Sequence, residues 1–337
     1  MEKYKKIVCI LLMVFFVTLM STSCKKYEAE GNVSNTAINS GIPVYDSNET
    51  LYYVDYEALY SGGNGVLKEK DKDGNTKTIK ECTYGETITA VFALDNWVYY
   101  SVTVLFGNHI SIHKYDKNTG DDFIIIEDEF KSLPQYNDYI YTEDNSTVYY
   151  FSPKEGLWIY KDNQFNKYIK DSYSCLVLNN IIYYSDKDGM KSYDLAEEKY
   201  QNLCSVSEIQ NLFENDLFIQ RITSVSITNL TYCDNSIYFL LTDYLGGRIF
   251  SIDLNGKNLR MVTDNISANR FVIDNNKLYF YGTEQGEAGK NLFSYDSEKH
   301  IKKISSDGVN GFYPIGEKVY YYNESMQLIT SDMNMNE

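Results

Sequence analysis

The sequence predicts an all-β chain folded as a β-propeller of four-stranded antiparallel blades. A recurring phrase carries that prediction: a polar turn, an aliphatic residue, then two aromatics. It reads Leu51-Tyr52-Tyr53, Val98-Tyr99-Tyr100, Val148-Tyr149-Tyr150, Ile182-Tyr183-Tyr184, Ile237-Tyr238-Phe239, Leu278-Tyr279-Phe280 and Val319-Tyr320-Tyr321. The mean spacing is about 45 residues, the length of one propeller blade. Seven phrases predict seven blades.

The strands follow in order within each repeat. Before the phrase stand turn formers: Asp95-Asn96, Asn145-Ser146, Asn179-Asn180, Asp234-Asn235, Asn275-Asn276 and Gly316-Glu317. Asn, Asp and Gly tolerate positive φ and close tight hairpins. The phrase itself is rich in β-formers, so it is the second strand (B) of a hairpin. A third strand (C) ends in a recurrent acid: Asp116, Asp194, Asp253, Asp296 and Asp332. These acids read as side-chain caps of the C–D turn; a ring of acidic ligands is the alternative. A short fourth strand (D) follows, at Phe123 to Ile126, Lys167 to Ile169, Leu259 to Val262 and Ile301 to Ile304. Each sheet then has apolar faces that only a neighbouring sheet can cover, which radial stacking provides. The last repeat lacks a fourth strand. The stretch Ala37 to Tyr45 is the candidate to supply it and close the ring.

The N-terminus reads as a targeting segment, residues 1–23. Lys3, Lys5 and Lys6 make its positive end, and Ile7 to Met20 is an apolar run short for a membrane span. Ser21-Thr22-Ser23-Cys24 follows and resembles a bacterial lipobox, which implies a lipid anchor on Cys24; an ordinary signal peptide is the alternative. Residues 24–40 are polar and read as a flexible tether. Residues 41–337 are then the propeller. The net charge is −16, and an acidic surface repels nucleic acid and anionic lipid. The membrane is therefore met through the lipid anchor only. Cys82, Cys175, Cys204 and Cys233 contain no CxxC pair and read as buried thiols, with disulfides the alternative.

There are 33 tyrosines. Adjacent residues on a strand face opposite sides of the sheet, so both aromatics of a phrase read as blade-to-blade core. A sugar-stacking surface is the other reading. A binding site belongs on the variable B–C and D–A loops, held by a rigid scaffold. Tyr56, Tyr60, Phe106 and Tyr244 are the aromatics there and are the candidate ligand-binding residues. An insertion between Ser205 and Thr228 lies at the same end. Ser207 with Gln210 resembles a capping box, and Ile209, Leu212 and Phe213 follow at helical spacing. The insertion is a lid or a partner-binding element.

No catalytic residue, cofactor or metal emerges. His109 and His113 flank an alternating Ile110-Ser111-Ile112, which predicts a strand and holds them roughly 13 Å apart. Asp71-Lys72-Asp73-Gly74-Asn75 with Glu81 approximates a calcium loop, but its spacing departs from the EF-hand pattern and it reads as a C–D turn. There is no GxSxG, GxxxxGK[ST] or HExxH.

Tyr184-Ser185-Asp186 and Leu241-Thr242-Asp243, followed by Ile249-Phe250-Ser251-Ile252-Asp253-Leu254-Asn255-Gly256, resemble the repeats of low-density-lipoprotein-receptor-type YWTD propellers. They are closer to a bacterial family of lipoprotein propellers named after those receptors. No repeat reads Tyr-Trp-Thr-Asp. The resemblance implies a binding or interaction role, and six blades rather than seven. Two functions follow as expectations. The first is a membrane-anchored, extracytoplasmic binding propeller without catalytic activity, holding an envelope protein or glycan on its loop face. The second is a polysaccharide-active hydrolase or lyase with a carboxylate pair in the channel.

Overall fold

The computed structural model describes residues 44–45, 50–55, 65–104, 109–129, 139–142, 145–153, 156–216, 218–219, 225–243, 246–264, 266–274, 277–284, 291–295, 301–305, 311–315, 318–322 and 328–332. The chain divides into two units, 1–31 and 32–337, and everything described belongs to the second. The proposed targeting segment, Cys24 and the tether lie outside the described residues. No helix among the described residues is long and apolar enough to cross a membrane.

The described chain forms seven antiparallel sheets, each a meander in which strands pair in sequence order. Sheet 1 is Val44–Tyr45, Leu51–Asp55, Val66–Lys70 and Thr76–Glu81. Sheet 2 is Glu86–Leu94, Trp97–Val104, His109–Asp116 and Asp122–Glu129. Sheet 3 is Tyr139–Thr142, Val148–Ser152, Gly156–Lys161 and Gln164–Ile169, and sheet 4 is Ser174–Leu178, Ile181–Ser185, Gly189–Asp194 and Lys199–Ser205. Sheet 5 is Ser226–Cys233, Ser236–Asp243, Gly246–Asp253 and Arg260–Met261. Sheet 6 is Ile266–Asp274, Lys277–Glu284, Asn291–Tyr295 and Ile301–Ser305, and a Gly247–Ala268 bridge joins it to sheet 5. Sheet 7 has three strands, Gly311–Ile315, Lys318–Tyr322 and Leu328–Asp332. All seven phrases fall on second strands. First strands touch the first strands of the next sheet: 44–45 with 86–94, 86–94 with 139–142, 174–178 with 226–233, 226–233 with 266–274, and 266–274 with 311–315. First strands innermost and fourth strands outermost is the arrangement of a β-propeller.

Two expectations change. The six blades implied by the receptor resemblance give way to seven sheets among the described residues. Val44 and Tyr45 pair with Tyr52 and Leu51 of the first sheet, so the described part of 37–45 is the inner strand of sheet 1 and not the missing edge of sheet 7. Sheet 1 needs that inner strand itself, since Leu51–Asp55 has an open side until Val44–Tyr45 fills it.

Six separate apolar clusters fill the six spaces between successive sheets. Tyr100, with Val98 and Tyr115, packs against Tyr52, Val54 and Leu67 of sheet 1. Its neighbour Tyr99 packs the other way, with Phe92, against Ile140, Val148 and Tyr150 of sheet 3. Tyr149 and Tyr150 split likewise between sheets 4 and 2, and Tyr183 and Tyr184 between sheets 5 and 3. Tyr279 faces sheet 7 while Phe280 faces sheet 5. The paired aromatics are therefore core, as period-2 alternation requires. These eight rings are fully or nearly fully buried, while Tyr53, Tyr238 and Tyr320 of other phrases are half-buried; truncating one of the eight to Ala costs about 3–5 kcal/mol.

The turns obey the residues that make them. Asn179 and Asn180 (φ 50° and 61°) and Asp234 and Asn235 (φ 46° and 60°) are left-handed at both central positions, the type I′ geometry that matches strand twist. Asp116 Oδ1 accepts from Asn118 N at 2.8 Å, and Asp194 Oδ1 from Ala196 N at 2.8 Å and Glu197 N at 3.0 Å. These recurrent acids cap C–D turns. Residues 71–75 are also a C–D turn, closed by Asn75 N on Asp71 Oδ1 at 2.8 Å.

One irregularity recurs between third and fourth strands. The register shifts at Leu67/Lys68, Ile112/His113, Leu157/Trp158, Met190/Lys191 and Leu292/Phe293. Each shift leaves one extra residue on the outer strand: Ile79, Ile125, Tyr168, Leu203 and Ile304. Such bulges sharpen the local twist. Beside two of them the third strand begins at a glycine pressed onto the outer strand's backbone. A Cβ on Gly156 (φ +96°) would lie 1.8 Å from Ile169 O, and one on Gly189 2.1 Å from Cys204 O. Gly74 (φ +87°) has open space, with Lys70 Cε 4.0 Å away. In urea unfolding, Gly74→Ala should cost about 1 kcal/mol for its backbone alone. Gly156→Ala should cost about 3 kcal/mol or more, because the outer strand must also move. Equal losses would mean that the close approach carries no energy.

Candidate binding site

The insertion after sheet 4 is built by a cap. Ser205 is the last residue of its strand, still extended (φ −99°, ψ 155°), and it opens helix α1, Val206–Leu212. Its Oγ accepts from Glu208 N at 3.1 Å, and Glu208 Oε2 accepts from Ser205 N at 2.7 Å. The capping box is therefore Ser205–Glu208, two residues before the expected Ser207–Gln210. The earlier register wins because a carboxylate accepts more strongly than an amide and Ser205 already has the extended backbone an N-cap needs. Bonds from the Ser205 backbone and hydroxyl hold the Glu208 carboxyl below its ordinary value.

The helix is fixed to the core. Ile209 and, further on, Ile219 are buried in the cluster between sheets 4 and 5, and Phe213 packs edge-on to Phe250 at 5.2 Å. Leu212, expected on the same face, is 65% exposed. Beyond the helix, Asp216 Oδ1 accepts from Phe218 N and Ile219 N at 2.9 and 3.0 Å. Its Oδ2 lies 3.4 Å from Nε of Arg248, a nearly buried side chain on the third strand of sheet 5. Arg248 also donates to Ile266 O at 3.1 Å and covers the Phe218 ring at 4.8 Å. One cation thus ties the insertion to sheets 5 and 6. Neither Arg248 nor Asp216 is apparent from motif spacing. The available signal was a lone Arg inside the apolar strand Gly246–Asp253.

Beside α1 lies a cleft of about 420 Å³, lined by Asp188, Gly189, Lys191, Asn202, Ser205 and Glu208 among others. It opens at the B–C turn of sheet 4, the end where a site was anticipated. Asp186 organises that turn: its Oδ1 accepts from Asp188 N at 2.9 Å and Gly189 N at 3.3 Å, and its Oδ2 takes Lys191 Nζ. Lys191 Nζ is also 3.7 Å from Asp188 Oδ2. Asp188 is two-thirds exposed. The wall thiol, Cys204, is a free cysteine pushed up by burial to about 12, and that of Cys82, between sheets 1 and 2, to about 11. Cys175 is buried and Cys233 half-buried. The cleft therefore offers hydrogen-bond donors and acceptors of both charges, with its thiol protonated at neutral pH. Tyr56, Tyr60, Phe106 and Tyr244 lie outside the described residues. Their loops are bracketed by Asp55 and Gly65, Val104 and His109, and Asp243 and Gly246.

A second polar group lies between sheets 1 and 2. His109 and His113 sit on one strand, as the alternation predicted. His113 is buried and stacked on Tyr100 at 4.7 Å. Its Nε2 is 3.0 Å from Ser111 Oγ and its Nδ1 2.9 Å from Asp122 Oδ2, which also accepts from Tyr100 Oη at 2.6 Å. The order serine, histidine, aspartate is that of a proton relay. Here, however, Ser111 is buried in mid-strand, paired on both sides with Val102 and Glu127. The group ties the third and fourth strands of sheet 2 to its second. Burial pushes the Asp122 carboxyl up, but the bonds from His113 and Tyr100 outweigh it and the net shift is down. Among the described residues the shifted carboxyls, Asp71, Glu86, Asp122 and Glu208, are all lowered. Among the described residues no group of three or more His, Cys, Asp or Glu is placed to hold a metal ion.

No family model matches the chain, and no curated protein matches it. Solved structures do. Virginiamycin B lyase from Staphylococcus aureus is 13% identical, with a TM-score of 0.58 over 88% of this chain and 96% of the lyase. The β-propeller domain of the trilobed protease from Pyrococcus furiosus is 15% identical, with a TM-score of 0.56 over 84% of this chain and 91% of that domain. A prolyl endopeptidase matches at 11% identity and a TM-score of 0.57 over 93% of this chain, which spans 53% of the peptidase's length. At such identities the likeness establishes the propeller fold alone.

Two outcomes follow. Because the folded Asp122 carboxyl lies below its ordinary value, its stabilisation is complete above that ordinary value and is lost progressively as pH falls from there through the lower folded value. Asp122→Asn should cost about 1 kcal/mol at pH 7 and flatten the loss of stability between pH 5 and 3 (roughly the carboxylate range) in urea titrations. Unchanged acid dependence would rule out this carboxyl as a contributor. The Cys204 and Cys82 thiols should react with Ellman's reagent at pH 8 (about three units or more below their folded values) only after unfolding.

Proposed function

We propose that this chain is an extracytoplasmic binding propeller, anchored by lipid on Cys24 through the tether 24–40, without catalytic activity of its own. It holds a protein or a glycan of the envelope on the B–C and D–A loop face, with Tyr56, Tyr60, Phe106 and Tyr244 as candidate contacts in addition to the cleft beside α1. The lipobox-like Ser21-Thr22-Ser23-Cys24 and the resemblance to lipoprotein propellers support the anchor. The observation that carries the binding reading is the cleft itself. Its polar groups are either exposed, like Asp188, or already engaged, like Glu208 and Lys191. Such groups hydrogen-bond a ligand but are poorly disposed to transfer protons, since a general acid at neutral pH needs a raised carboxyl. The propellers it resembles in fold include peptidases and a lyase, so a polysaccharide-active enzyme is the competing outcome.

The test has two arms. Labelled palmitate should enter the wild-type chain and not Cys24→Ser. Soluble protein from residue 25 onward should be screened against envelope glycans and crosslinked envelope proteins beside Asp188→Lys and Asn202→Trp. A ligand bound by the wild type and weakened at least tenfold (about 1.4 kcal/mol) by either substitution supports the reading. New reducing or unsaturated ends released from a polysaccharide would replace it with the enzyme.

A further inference from the structure

Six sheets have an outer fourth strand among the described residues, and the edge of a sheet is a template for pairing with another chain. Five of the six carry a cation on that strand: Lys77 and Lys80, Lys167, Lys199, Arg260, and Lys302 and Lys303. A lysine on an edge is a common device for keeping other strands away. The sixth, Asp122–Glu129 of sheet 2, has none. Its eight residues, DFIIIEDE, make it the longest of the six and consist only of apolar and acidic types. Phe123 and Ile124 stand 50% and 55% exposed, consecutive along the strand and so on opposite faces of the sheet. Among the described residues its outer edge pairs with no strand.

We propose that this edge accepts an extended, lysine- or arginine-bearing segment of another protein as a fifth strand of sheet 2. The backbone would supply the ladder, Phe123 and Ile124 the apolar contact, and the acids the choice of partner. Asp121 and Glu127 are both exposed. A second copy of this chain is disfavoured. Antiparallel pairing sets the acids at 127–129 against those at 121 and 122, and parallel pairing sets 127 against 127; like charges directly opposite destabilise a ladder. A basic strand meets no such repulsion. This surface lies on the outer strand of sheet 2 and is independent of the loop-face reading above.

The probe is a labelled octapeptide alternating lysine and valine, titrated against the chain from residue 25 onward by fluorescence anisotropy. Saturable binding is expected. It should fall at least tenfold for the glutamate–valine counterpart, for the same peptide N-methylated at alternate amides, and for the variant Ile124→Lys. Asn166→Lys places the same charge on the exposed part of another outer strand and should bind as the wild type does. Circular dichroism of Ile124→Lys should be unchanged, since the side chain is exposed. Three results would overturn the proposal. One is no saturable binding up to about 1 mM. Another is equal binding of the N-methylated peptide, which would reduce the effect to attraction by an acidic surface. The third is equal loss in Asn166→Lys and Ile124→Lys.

Discussion

Each of sheets 2 to 6 has two apolar faces, and a neighbour covers each. That constraint organises the molecule. It is why adjacent rings such as Tyr99 and Tyr100 are both buried, in different clusters. A sandwich would need one apolar face per sheet and one polar face. Here the second strands read apolar on both sides, and the polar residues retreat to turns and outer strands. The turn residues serve the same end, since a meander with tight hairpins brings each sheet back beside the last.

The scaffold was legible because its signals repeat. A two-aromatic phrase, a left-handed Asn or Asp pair, and a capping acid at the end of a third strand are each weak alone. Recurrence makes them decisive, the phrase at all seven places and the turn pairs and acids at most of them. What the sequence concealed is what does not repeat. The capping box shifted by two residues because Ser205-Val206-Ser207-Glu208 and Ser207-Glu208-Ile209-Gln210 offer the same pattern. Only the backbone leaving sheet 4 chooses between them. The pairing of Val44–Tyr45 was concealed for a related reason. Counting strands shows that one is missing, but pairing depends on which neighbour has an open edge in space.

The cleft illustrates a third kind of concealment. Asp186, Asp188 and Lys191 look like ordinary surface charges of a Ser-Asp-Lys-Asp-Gly loop. Their convergence depends on Gly189, whose missing side chain lets the third strand lie against Cys204. The bulge at Met190/Lys191 then brings Asn202 and Ser205 to the same cleft. The site is a by-product of how an outer strand is bent. The tie of Arg248 to Asp216, Phe218 and Ile266 shows the same economy, since one buried cation seats a whole insertion.

The six clusters between sheets are separate, and each involves only two neighbours. A substitution in one therefore asks for compensation across a single interface, not throughout the chain. Lineages can rewrite each interface in turn while strand order and sheet stacking persist. The solved propellers that share this fold at 11–15% identity fit that expectation. Selection on such a molecule acts on junctions one at a time, so the residues can change far while the architecture stays the same.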